Sequence, residues 1–263
     1  MTTVELGDIT VHYLSEGSGP AVVLLHGLAE DHRSWAPVLP HLDGFTVHAV
    51  DLRGHGSTTG GDGLGTLEQL SDDLRRFLDE VCGPAVVVGY SLGGTIALHA
   101  AGTGDNSVVG VIAVAASSVV GGAAAEFFTG RIAQIEAEDW EGFGAGLRGD
   151  TAQQVLSDAD LDALVAARLK AVGEGGGYVN AARAMIGVRS APLTPVLGDI
   201  TARVEVVGGD GDVFCPRKAA DLIVDGVPRG RYHEIAGAGH LVSIDQPDEY
   251  GRLVAHLLED LMS

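Results

Sequence analysis

Residues 85–94 read AVVVGYSLGG, and no other stretch narrows the fold as far. Residues 85–89 are small or apolar at every position rather than at alternate ones, as a strand covered on both faces requires. Residues 92–101 suit a helix. A strand that enters a helix through G-x-S-x-G must reverse within very few residues. Small neighbours are needed for the backbone to pass, and Ser91 is then lifted above the sheet edge. The helix start beside it offers free N–H groups and partial positive charge. Such a strand belongs in a mostly parallel sheet with helices on both sides.

The rest of the chain keeps that rhythm, with one interruption. Residues 4–17 predict two strands with a turn near Gly7 and Asp8. Strands are predicted over 21–27, 45–52 and 108–116, and a short helix over 34–42. Residues 66–81 form an amphipathic helix: Thr66 and Gln69 have capping-box spacing, and Leu67, Leu70, Leu74, Phe77, Leu78 and Val81 make one stripe. From 117 to 191 no strand pattern appears. Helical pieces are expected near 123–139 and 158–172, with GEGGG at 173–177 as a flexible break. After Pro192 and Pro195 the alternation returns: strand 203–207, helix 216–224, strand 230–235. A closing helix over 245–262 carries the stripe Tyr250, Leu253, Val254, Leu257, Leu258 and Leu261. The expected architecture is an α/β core (1–116 and 192–263) built on a mostly parallel central sheet flanked by helices, with a helical cap at 117–191.

Composition limits the partners. The 36 acidic and 16 basic residues leave a formal charge of −20, a poor surface for a polyanion, so no nucleic-acid partner is expected. Residues 106–125 carry no charge and are long enough to cross a bilayer. Ser107, Gly110, Ser117, Ser118, Gly121 and Gly122 interrupt them, however, so a buried strand running into a loop is expected, and no membrane association. Cys82 and Cys215 cannot make a disulfide scaffold and read as free thiols. The opening MTTVELGD lacks the basic and apolar parts of a secretory leader, which predicts a cytoplasmic protein. No metal-ligand spacing and no G-x-G-x-x-G after a strand is found, so neither metal nor cofactor is expected. The assembly is expected to be a monomer or homodimer.

A neutral serine needs a base, usually a histidine held by a carboxylate. Of the late histidines, His233 falls within a predicted strand and His256 opposite the apolar stripe of the last helix. His240 lies in the loop 237–240, from which an imidazole can reach over the sheet edge. The acid should leave another strand end. After residues 203–207, both Asp210 and Asp212 qualify; either could instead cap its own turn.

His26-Gly27-Leu28 after the first long strand, Asp51-Leu52-Arg53-Gly54-His55-Gly56 after the next, Gly89 to Gly94, Gly209 to Pro216 and Gly239-His240 together resemble the α/β-hydrolase superfamily, over almost the whole chain. The resemblance implies Ser91 as nucleophile, His240 as base and Asp212 as acid, since Gly209, Asp212 and Pro216 match the superfamily's Gly-x-x-Asp followed by Pro. It also implies an oxyanion hole from the N–H groups of Leu28 and Leu92. Trp35 and Tyr90 are candidates to line a substrate pocket. His26, Arg53 and His55 are expected to shape loops, and residues 30–33 to be a solvated loop. Relatives that open epoxides or remove halide carry aspartate at the elbow. Serine there implies acyl chemistry on a small-molecule substrate: a carboxylic ester, lactone or thioester. Carbon–carbon bond hydrolysis, perhydrolysis, biosynthetic acyl transfer or cyclisation, and a ligand receptor with little turnover stay open.

Overall fold

The computed structural model describes all 263 residues except Asp105. The strands are β1 (Thr2–Leu6), β2 (Ile9–Gly17), β3 (Ala21–Leu25), β4 (Thr46–Val50), β5 (Ala85–Tyr90), β6 (Val108–Val114), β7 (Arg203–Gly209) and β8 (Gly230–Ile235). They form one eight-stranded sheet in the order β1-β2-β4-β3-β5-β6-β7-β8. β1, β2 and β4 pair antiparallel; from β4 through β8 every neighbour is parallel. The helices are α1 (Leu67–Phe77), α2 (Leu92–Gly102), α3 (Gly122–Glu136), α4 (Trp140–Gln154), α5 (Leu161–Val172), α6 (Gly176–Ser190), α7 (Thr194–Leu197), α8 (Arg217–Gly226), α9 (Val242–Asp245) and α10 (Pro247–Met262).

The register decides where chemistry can occur. Leu25 pairs with Gly89, Tyr90 with Val114, Val114 with Val207 and Gly209 with Ile235. The carboxyl ends of β3, β5, β6, β7 and β8 are therefore level, and the turns that follow them share one edge of the sheet. Val23, Val87 and Val111 pack on one face with α1 and α2. Val22, Val86 and Ile112 pack on the other with Tyr250, Val254 and Leu258 of α10. Every one of these side chains is sealed from water, as the doubly apolar strand pattern requires.

Two sequence expectations need correction. Residues 34–42 do not form one helix. They make two 3-10 turns, His32–Trp35 and Leu39–His41, because Pro37 and Pro40 supply no N–H to an α-helical ladder. The insert between β6 and β7 holds four long helices, α3 to α6, where the sequence reading found two. The missed ones, WEGFGAGLRGDTAQQ and GGYVNAARAMIGVRS, are dense in glycine, which disguises helical periodicity.

Conformation and packing account for the GEGGG stretch. Gly173 closes α5 at φ 56° and Gly175 precedes α6 at φ 84°. Gly177 packs directly on the loop after β4: a Cβ there would lie 2.2 Å from the carbonyl oxygen of Gly54. The two ends of the insert also meet, where the Leu193 N–H donates to the Ser118 carbonyl at 2.9 Å. No helix among the described residues is long and apolar enough to cross a membrane. The uncharged stretch 106–125 contains β6 and the loop leading to α3.

Candidate active site

Ser91 sits between β5 and α2 at φ 50° and ψ −110°, a backbone conformation unusual for any residue but glycine. Its neighbours explain how the turn is tolerated. A Cβ on Gly89 would lie 2.3 Å from the carbonyl carbon and oxygen of Gly93, and one on Gly93 would lie 2.1 Å from the carbonyl oxygen of Leu25. The Ser91 N–H donates to the Val114 carbonyl at 2.8 Å, tying the turn to β6. The glycines thus admit the backbone, and the strand neighbour fixes the serine.

His240 arrives from the loop after β8 and is 6% exposed. Its Nδ1 lies 2.8 Å from Asp212 Oδ2 and its Nε2 lies 3.2 Å from Ser91 Oγ. With the proton on Nδ1 shared toward the carboxylate, the Nε2 lone pair faces the serine hydroxyl. The other Asp212 oxygen accepts the backbone N–H groups of Phe214 at 2.8 Å and Cys215 at 2.9 Å. Burial alone would raise the Asp212 pKa. The His240 hydrogen bond and charge, with those two N–H donors, outweigh it and hold the carboxyl below its ordinary value. Asp210 is exposed and accepts the N–H of Gly237 at 2.8 Å, capping its own turn. Of the two aspartates that the residues alone left open, the one beside the imidazole is Asp212.

The turn after β3 brings Leu28 to the same edge. His26 is sealed: its Nδ1 donates to the Gly27 carbonyl at 2.8 Å and its Nε2 accepts the Leu52 N–H at 2.9 Å. Burial lowers its pKa, in keeping with a neutral ring that bridges two loops. Ala29 follows Leu28 at φ 61°, fully buried. The N–H groups of Leu28 and Leu92 donate to no described residue. Residues 30–33 are not the solvated loop expected. Glu30 accepts the Gly27 N–H at 3.1 Å and is 8% exposed. Asp31 is buried against Arg33, and His32 donates to the sealed Asp51 carboxylate from both its backbone and its ring. Short-range polar pairing within HGLAEDHR withdraws these charges from water, which a reading by composition cannot see.

The remaining candidates have definite places. Tyr90 donates its hydroxyl to the His240 carbonyl at 2.9 Å, and the two rings lie 5.4 Å apart. Trp35 is buried; with Glu30, Ser34, Tyr90, Ser243 and Tyr250 it encloses a cavity of about 10 Å³, room for roughly one water. Arg53 bridges Asp8 and Asp73 through paired contacts at 2.7–2.9 Å. His55 lies wholly inside, its pKa pushed down to about 3 by burial. His233 sits in β8, bonded to Glu205 at 2.8 Å, and His256 is exposed on α10. Two groups bring three donor atoms each within 4.8 Å: Asp212, Cys215 and His240; and Asp31, His32 and Asp51. In the first, burial raises the Cys215 thiol far above its usual range, which opposes the thiolate a metal needs. In the second, Asp31 already binds Arg33 and Asp51 already binds His32.

Three residues escaped the sequence reading. Asp245 accepts N–H groups from Leu156 and Ser157 in the insert and from Gly239 beside His240, all at 2.8–3.0 Å. The Gln154 carbonyl accepts the Leu241 N–H at 2.9 Å. Arg168 reaches from α5 to the Leu28 carbonyl at 3.4 Å. Asp245 had one available signal, its place five residues after His240; nothing local marks the other two.

A serine hydroxyl bonded to an imidazole that is oriented by an ionised carboxylate can be deprotonated as it attacks a carbonyl. The comparisons with known proteins concern the same segments. Residues 22–253 match the model of the Alpha/beta hydrolase family. The pimeloyl-[acyl-carrier protein] methyl ester esterase of Aromatoleum aromaticum is 30% identical over 92% of this chain and 98% of its own length. Among solved structures, the enol-lactonase from Burkholderia xenovorans superposes with a TM-score of 0.86 at 22% identity, covering 98% of this chain and 100% of that one. An esterase from Exiguobacterium antarcticum gives 0.87 at 19% identity, covering 98% and 99%.

Proposed function

The chain belongs to the Alpha/beta hydrolase family, and within it we propose a serine hydrolase that cleaves a small carboxylic ester, lactone or thioester through an acyl-enzyme. The observation that carries this reading is the unbroken hydrogen-bonded chain Ser91–His240–Asp212 at the carboxyl edge of the sheet. Ser91 Oγ attacks the acyl carbonyl as its proton passes to His240 Nε2. The N–H groups of Leu28 and Leu92 receive the developing oxyanion; losing one such donor typically costs about 10²–10³ in rate. His240 returns the proton to the leaving group. A water then attacks the acyl-Ser91 ester with His240 again as base, releasing the acid. Asp212 stays ionised throughout, fixing the ring and stabilising its cation. Tyr90 positions the His240 loop through its hydroxyl. The insert acts as the cap over this edge, and the full-length 30% relative, itself an esterase, supports acyl chemistry.

The test is a panel of 4-nitrophenyl esters, thioesters and lactones, run beside labelling with a fluorophosphonate and peptide mapping. Turnover of at least one class, with the label on Ser91, is expected. A label on Ser91 without any turnover points to a receptor. Turnover that persists after complete labelling overturns the serine mechanism.

A further inference from the structure

Arg168 is an anomaly in a chain this acidic. Every other arginine without an ion pair (Arg76, Arg189, Arg229, Arg231 and Arg252) is solvent-exposed. Arg168 is half-buried, and among the described residues no carboxylate pairs with it. Its Nη1 is held by Thr151 Oγ1 at 2.8 Å and Gln154 Oε1 at 2.5 Å. Its other edge is left nearly bare: Nη2 makes one long contact, 3.4 Å to the Leu28 carbonyl, and the sealed Nε has no partner. Nε and Nη2 form the side of a guanidinium that accepts a carboxylate with two parallel hydrogen bonds.

That bare edge belongs to the candidate active site. Leu28 is the residue whose N–H is assigned to the oxyanion. The Arg168 charge is also close enough to Tyr90, the neighbour of Ser91, to work against the rise that burial causes in its phenol pKa. We propose that Arg168 is a substrate-recognition residue and that the substrate is an ester, lactone or thioester carrying a free carboxylate. This deepens the serine-hydrolase reading and rests on it. The scissile carbonyl lies at Ser91 and the carboxylate on the Nε–Nη2 edge of Arg168, with Thr151 and Gln154 holding the guanidinium in place. One guanidinium suits a monoanion. A phosphate dianion would face the buried carboxylates of Glu30, Asp31 and Asp212 with too little positive charge to offset them.

The experiment compares two esters of nearly equal shape, mono-4-nitrophenyl glutarate and 4-nitrophenyl 5-methylhexanoate, in wild type, Arg168→Gln and Arg168→Lys. The quantity read is the ratio of their kcat/KM values. Wild type is expected to favour the glutarate. Arg168→Gln should lower the ratio about 10–100-fold, the worth of hydrogen bonds to a charged group, and Arg168→Lys should fall between, keeping charge but losing the fork. A purely structural role would lower both rates together and leave the ratio unchanged. An unchanged ratio, or a wild-type preference for the isostere, overturns the proposal. If wild type hydrolyses neither ester, the hydrolase reading is what fails. Calorimetry with glutarate then decides the site by itself: binding at least tenfold weaker in Arg168→Gln upholds it, and equal or absent binding overturns it.

Discussion

Between Gly89 and Gly94 the backbone passes so close to its neighbours that a single added methyl group at Gly89 or Gly93 would collide with main-chain atoms. In α3, by contrast, Ile132 and Ile135 are the only buried residues of 15. The sheet-edge turns are held by backbone contact and by side chains in fixed pairs. The insert is held by its small cluster of Ile132, Ile135, Phe143, Leu147, Val172 and Tyr178 and by a few polar stitches to the edge beneath. Steric necessity leaves a mark in sequence, whereas loose helical packing over a cavity leaves little. Reactivity can therefore be fixed at the edge while recognition varies above it.

The sharpest way to break that division is Ser91→Ala. We expect a loss of about 10⁴–10⁶ in kcat toward 4-nitrophenyl acetate, with the midpoint of urea unfolding unchanged. Retained hydrolysis would move the chemistry away from the edge. Next, Asp212→Asn should lower kcat by about 10⁴ through the wrong imidazole tautomer. Asp210→Asn should stay within about threefold, since a turn cap rather than the reaction is altered. A crippled Asp210 variant would reverse the assignment.

These two outcomes bear on how much could be read from residues alone. The parallel core, the elbow and the base His240 were legible because each imposes a pattern: doubly apolar strands, glycines at a reversal, a histidine in a strand-end loop. The choice between Asp210 and Asp212 was not decided by those residues; the superfamily resemblance decided it. Only in space does one of them point to a turn and the other to an imidazole. The burial of Glu30 and Asp31 and the stitches made by Asp245, Gln154 and Arg168 were illegible, because their partners lie in remote segments or in the backbone. The helices α4 and α6 were missed because glycines serving close packing weaken the periodic signal.

Smaller effects test the seam. Asp245→Ala strips the acceptor from three N–H groups that join the insert to the His240 loop, and should cost about 3 kcal/mol in urea unfolding. A change under about 0.5 kcal/mol would mean that the insert is held elsewhere. The smallest effect is on pH. His55 is neutral in the fold, with its pKa pushed down to about 3 by burial, against about 6.5 when unfolded. The unfolded chain therefore binds the extra proton between those values, so this contribution is complete above pH 6.5 and drains away as pH falls toward 3. Acidification from pH 7 to 5 should cost about 2 kcal/mol through this group, and His55→Gln should flatten that slope. An identical slope in the variant would assign the acid sensitivity to other groups.

The hydrogen bond between Leu193 and Ser118 closes the insert at its stem. Seen from the sheet, the excursion leaves and returns at one point, so its length is nearly invisible to the strands it interrupts. For a flexible excursion, each doubling in length adds only about 0.6 kcal/mol of closure entropy. Descendants of such a chain can lengthen, shorten or replace the excursion without renegotiating the pairing of β6 with β7. A library that keeps residues 118 and 193 as its ends and randomises what lies between would explore new substrates on an unchanged reaction centre.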